Sequence, residues 1–108
     1  MGFVCVLQIE LHFPESGSLK GKRKDVQSVK AQLIRRFGAA VAETGHHELW
    51  QRATLTAAVV GRDASAASEA AASVERFARA RFPDGVRIER GVVSSDELIG
   101  DFGRPHVS

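Results

Sequence analysis

From Phe3 to Phe13 the chain alternates without a break, and this run constrains the fold more than any other feature. Phe3, Cys5, Leu7, Ile9, Leu11 and Phe13 share one face of an extended strand. Val4, Val6, Gln8, Glu10 and His12 share the other. Successive side chains of a strand point to opposite sides, so this pattern predicts one dry face and one half-polar face. Pro14 and then Gly17 stop the strand. A long strand with a single apolar face needs neighbours in a sheet and a layer to cover it.

The next segments supply both. Ser18 can cap a helix, because its hydroxyl can accept an orphan amide. Leu19, Val26, Val29, Leu33 and Phe37 then fall on one helical stripe, and Gly38 ends it. Ala39 to Thr44 reads as a short second strand with Val41 inward. Gly45-His46-His47-Glu48 reads as a hairpin loop. Leu49 to Val60 reads as a long third strand, with Trp50, Arg52, Thr54 and Thr56 on its outer face. Asp63 or Ser65 starts a second helix, whose repeat runs through Ala67, Ala70, Ala71, Val74, Phe77 and Ala78. Pro83-Asp84-Gly85 marks a turn. Val86, Ile88 and Val92 predict a fourth strand, bulged near Gly91. The order predicts an α+β, ferredoxin-like βαββαβ sandwich: a four-stranded antiparallel sheet with both helices on one face. Right-handed crossovers put strands one and three together at its centre. Residues 1–99 form one domain and 100–108 a loose tail.

Composition then excludes whole classes. At 108 residues, with 44% apolar and 26% charged residues, the chain is neither disordered, collagenous nor a coiled coil. One cysteine, Cys5, allows no internal disulfide and points to a reducing compartment, hence the cytoplasm. Its inward position reads as an inert core residue. No apolar run approaches the ~18–20 residues of a membrane helix, and Met1 to Leu7 reads as strand rather than signal peptide. One cysteine and four scattered histidines give no zinc spacing, and no cofactor motif is present.

The net charge is only +2, but it is unevenly spread. Residues 19–37 hold Lys20, Lys22, Arg23, Lys24, Lys30, Arg35 and Arg36 against Asp25 alone, a net +6. Such a cluster fits phosphate contacts on structured RNA, which position without reading sequence. Its ordinary alternative is a solvated helix face. Strand two runs parallel to strand one, so Glu43 should end beside the helix start. Val41 points inward, and so does Glu43. It should hydrogen-bond loop amides or pair with Lys22 or Arg23 as a structural anchor, since buried acids are normally paired.

The uncovered sheet face should gather Glu10, His12, Trp50, Arg52 and Thr54. Antiparallel pairing brings His12 and Glu10 beside Trp50 and Arg52. Three uses suit such a face: a homodimer interface anchored by Trp50, a base-stacking platform, or a small-molecule pocket. In the last, His12 would be general base, with Glu10 beside it and Arg52 as anion clamp. His46-His47-Glu48 reads as an exposed turn, because adjacent strand side chains diverge and cannot easily share a metal.

Ser18-Leu19-Lys20-Gly21-Lys22-Arg23-Lys24, followed by Arg36-Phe37, Val41-Ala42-Glu43-Thr44-Gly45 and Leu49-Trp50-Gln51-Arg52-Ala53, resembles the bacterial YlxP-like family, a domain of unknown function. The likeness runs from about Phe3 to Val60. It implies a ferredoxin-like fold. The family's genes often lie beside those for a translation initiation factor and a ribosome-binding factor, which implies a role near ribosome assembly or translation. The chain departs at His46-His47, in a loop that often carries acidic residues there. The expectation is a small, non-enzymatic, cytoplasmic protein that binds structured RNA or a ribosomal subunit through Lys20, Lys22, Arg23, Lys24, Arg35 and Arg36. A homodimer through the open face is expected beside it. The alternative is a dimeric small-molecule-binding protein or biosynthetic enzyme using Glu10, His12, Trp50 and Arg52.

Overall fold

A computed structural model describes residues 1–83 and 85–100. The tail expected at 100–108 lies, apart from Gly100, outside the described residues, as does Asp84 of the predicted turn. Strand β1 spans Phe3–His12, helix α1 Leu19–Phe37, β2 Ala40–Gly45, β3 Arg52–Gly61, α2 Ala64–Arg81, β4 Val86–Ser94 and a short α3 Ser95–Ile99. The sheet order is β2-β3-β1-β4, and every neighbouring pair is antiparallel. β2 and β4 are therefore the outer strands.

The caps follow from local chemistry. Ser18 Oγ accepts the Gly21 amide at 3.0 Å, satisfying one of the free donors of α1. Gly38 closes that helix in the left-handed conformation at φ 63°, where its amide reaches the Ile34 carbonyl at 3.0 Å. Asp63, not Ser65, caps α2, accepting the Ala66 amide at 2.8 Å.

The core lies between the sheet and the two long helices. Cys5, Leu7, Ile9 and Leu11 meet Ala53, Leu55, Ala57 and Val59 across the central pair. Val26, Val29 and Leu33 cover them from α1, and Ala67, Ala71, Val74 and Ala78 from α2. Each fully buried Leu or Ile contributes about 1.5–3 kcal/mol over leaving it in water. Burial also pushes the Cys5 thiol up, against a smaller opposing pull from Arg90, which keeps it protonated and unreactive.

Three details differ from expectation. β3 begins at Arg52, not Leu49, and the last backbone bond from the β1 side is the Phe13 amide on the Gln51 carbonyl at 2.8 Å. Residues 46–51 fold back instead, with the Leu49 amide on the His46 carbonyl at 3.1 Å. The register between β1 and β4 runs unbroken from Phe3↔Ser94 to Leu11↔Val86, so Gly91 makes no bulge. The single register shift lies between Glu43 and Gly45 on β2. Finally, the short α3 at the end of the expected 1–99 domain was not foreseen as a helix: Ser94 and Glu97 form a reciprocal capping box, and Ser95 bonds Gly2 through both its amide and its hydroxyl.

Candidate functional site

The basic segment divides on folding. Lys22 shares the inner stripe of α1 with Val26, Val29 and Leu33 and is wholly buried. Its Nζ donates to Glu43 Oε2 at 3.2 Å and to the carbonyls of His46 (2.9 Å), His47 (3.3 Å) and Arg52 (3.2 Å). Desolvating an ammonium is costly unless its protons are taken up, and here four acceptors surround it. Lys22 therefore cannot contact RNA, and its place among the phosphate-binding residues is corrected. Glu43 is its ion-pair partner, on the inner side of β2.

Arg36 is also diverted. Its guanidinium lies 4.8 Å from the Phe77 ring centroid and 5.7 Å from that of Phe37, at the junction of α1 and α2. Arg36 nonetheless stays exposed, its guanidinium resting on the aromatic rings. Lys20, Arg23, Lys24 and Arg35 remain exposed. None of the four forms an ion pair among the described residues. Lys20, Lys24 and Arg35 lie along one helical ridge, about 22 Å from first to last at 1.5 Å per residue.

The uncovered sheet face is organised in rows across the strands. At one end Val60, Val4 and Val93 form a row, and Ala40, Ala58, Val6 and Gly91 the next. Polar rows follow: Thr56, Gln8 and Glu89, then Thr54, Glu10 and Arg87, then Arg52 beside His12. Thr54 is 5% exposed and packs against Gly45, so it offers nothing to a partner, contrary to expectation. Trp50 is not part of the paired strand. It sits 57% exposed on the 46–51 turn, beyond the end of the ladder.

Glu10, His12 and Arg52 do come together, at the polar end. They line a cleft of about 310 Å³ with His46 and Arg87, between walls that include Ala53, Gly85 and Val86. Arg87 Nε stands 4.0 Å from Glu10 and its Nη2 3.3 Å from Glu89. Gly85 is demanded here, because a Cβ would lie 2.8 Å from His12 Cβ. His46 adopts the left-handed conformation at φ 61°, uncommon for a residue other than glycine though His, like Asn and Asp, enters it more readily than most. The sequence reading missed His46, taken as plain turn, and Arg87. Pairing β4 with β1 was enough to put Arg87 beside Glu10.

A four-stranded antiparallel sheet in the order β2-β3-β1-β4, with two long helices on one face, defines a ferredoxin-like α+β domain. The chain belongs to the DUF503 family, proteins of unknown function, whose pattern matches residues 4–89. Among solved structures it is similar to the de novo designed protein Foldit4, with a TM-score of 0.56 and 8% identity over 88% of this chain and 99% of that one. The de novo designed protein LFR1 1 with ferredoxin fold matches with a TM-score of 0.41 and 14% identity over 97% of each chain. No curated protein matches. The Foldit4 likeness speaks for the fold alone, since one fold hosts many functions. No described helix is long and apolar enough to cross a membrane.

Proposed function

We propose that this protein is a non-enzymatic, cytoplasmic RNA-binding protein that docks on ribosomal or other structured RNA through α1. One observation carries the reading: Lys20, Arg23, Lys24 and Arg35 are exposed and free of carboxylate partners among the described residues. A helix face built only for solvation would tend to alternate its charges or pair them. The resemblance to the YlxP-like family, with its gene neighbours in translation, supports the same assignment.

Four phosphate contacts give a log K that falls with log salt by a slope of about −3 to −4 on duplex RNA. Fluorescence anisotropy with a labelled RNA hairpin measures that slope, and co-sedimentation with ribosomal subunits tests the natural target. Lys20→Glu/Lys24→Glu/Arg35→Glu should abolish both associations while leaving the melting temperature intact. Unchanged binding in that variant, or none by the wild type at low salt, overturns the reading.

The apolar half of the open face is the surface for a second copy. Val6 is 41% exposed and Val60 75%. A two-fold axis along the strands would lay each apolar row on its own counterpart, the arrangement an isologous dimer requires. Sedimentation velocity at about 0.1 mM should find a dimer, and Val60→Glu a folded monomer. A wild-type monomer at that concentration excludes the interface.

A further inference from the structure

We propose that the cleft at the polar end of the open face binds a phosphate monoester, a site separate from the α1 ridge. The cleft is concave and near the lower end of the size range of small-ligand pockets. Four of its five polar side chains carry nitrogen donors: His12, His46, Arg52 and Arg87.

These donors are not equivalent. Arg87 is already engaged by Glu10 and Glu89. Arg52 has no carboxylate partner among the described residues. It stands directly across the ladder from His12, on the same face. A guanidinium presents a planar fork that matches two oxygens of a phosphate, and flanking imidazoles can reach the third. Glu10 is the one carboxylate among the residues that line the cleft, an acceptor for a hydroxyl of the group that the phosphate esterifies.

The framework behind these side chains is preset. The buried Lys22 ammonium holds the carbonyls of both His46 and Arg52, at 2.9 and 3.2 Å. One internal cation therefore fixes the backbone at both ends of the 46–51 turn, including the strained His46. Strain held by surrounding structure is typical of ligand sites. The His12 amide is tied to the Gly85 carbonyl at 2.8 Å, which anchors the opposite wall. A site whose backbone is fixed before binding loses less entropy when a ligand arrives.

The chemistry could come from a free sugar phosphate or from the 5′ end of an RNA strand, and the test separates them. Histidine side-chain NMR signals are followed while inorganic phosphate, ribose 5-phosphate, and 5′-phosphorylated or 5′-hydroxyl trinucleotides are added. Saturable shifts at His12 and His46 are expected with the phosphate esters, with His47 unmoved. His47 lies outside the cleft, its Nε2 beside the Glu43 carbonyl at 3.1 Å. Ribose 5-phosphate binding at least as tight as the phosphorylated trinucleotide assigns the site to a free metabolite, and the reverse order assigns it to an RNA end. Arg52→Gln should weaken binding about tenfold or more, and it spares the fold because Lys22 grips the Arg52 backbone rather than its side chain. The Lys20/Lys24/Arg35 reversal should leave this binding unchanged, so the two sites fail independently. No saturable shift with any probe up to about 10 mM, or binding that Arg52→Gln does not weaken, overturns the proposal.

Discussion

Lys22→Met should cost about 3–5 kcal/mol of stability, the largest effect of any single change to a charged residue in this chain. Removing the ammonium leaves the Glu43 carboxylate, 18% exposed, facing a buried space without its counter-charge. The carbonyls of His46, His47 and Arg52 lose their shared donor at the same time. For a domain of this size each kcal/mol moves the melting temperature about 4–8 °C, so a fall of roughly 15 °C or more is expected by calorimetry. Replacing both partners, Lys22→Met with Glu43→Leu, should recover part of the loss, because an apolar pair leaves no buried charge unmatched. Below its melting temperature Lys22→Met should bind RNA as the wild type does. A variant that melts normally would show that the ammonium is not internal, while a folded variant that loses RNA would put Lys22 back on the surface.

The second large effect is Gly61→Ala. A Cβ at Gly61 would lie 2.4 Å from the Ala67 amide nitrogen and 2.9 Å from the Ala66 carbonyl carbon. Both are helix backbone, which cannot rotate aside as a side chain can. The first turn of α2 would have to lift from the end of β3, loosening Ala67 and Ala71, which are both fully buried. Overpacking of this kind costs about 1–3 kcal/mol, or roughly 5–25 °C in melting temperature. Gly17→Ala is the matched control, since its Cβ would meet open space. Equal melting of the two variants would mean that α2 does not rest on β3 at that point.

The sheet was legible because its signal is local: alternation across β1 and β3 sorts inward from outward residues without knowledge of the partner. The basic cluster was only half legible. Charge counting treats Lys20, Lys22, Arg23 and Lys24 alike, yet Lys22 precedes Val26, Val29 and Leu33 at helical spacing, and that phase marks it as the inward cation. Trp50 was read into the strand because the alternation runs on through residues 49 and 50, past the last bond at Gln51. Where a ladder stops depends on the neighbouring strand, which local alternation does not report. The cleft was less legible again. It needs His46 from a turn, Arg52 from β3 and Arg87 from β4, residues that only the assembled register brings together. The Ser94–Glu97 capping box was readable in advance as a helix start, although five residues leave no periodicity to confirm it.

The two outer strands have a bearing on how the folded protein behaves when crowded. An unpaired strand border is a template on which another chain can grow, and proteins that leave one long, flat and greasy tend to polymerise. Here one border is β4, with the Arg87 and Glu89 side chains 75% and 74% exposed. The other is β2, only six residues long and interrupted between Glu43 and Gly45. Neither makes a good template for added strands. Open-ended growth at the borders of the sheet is thereby disfavoured.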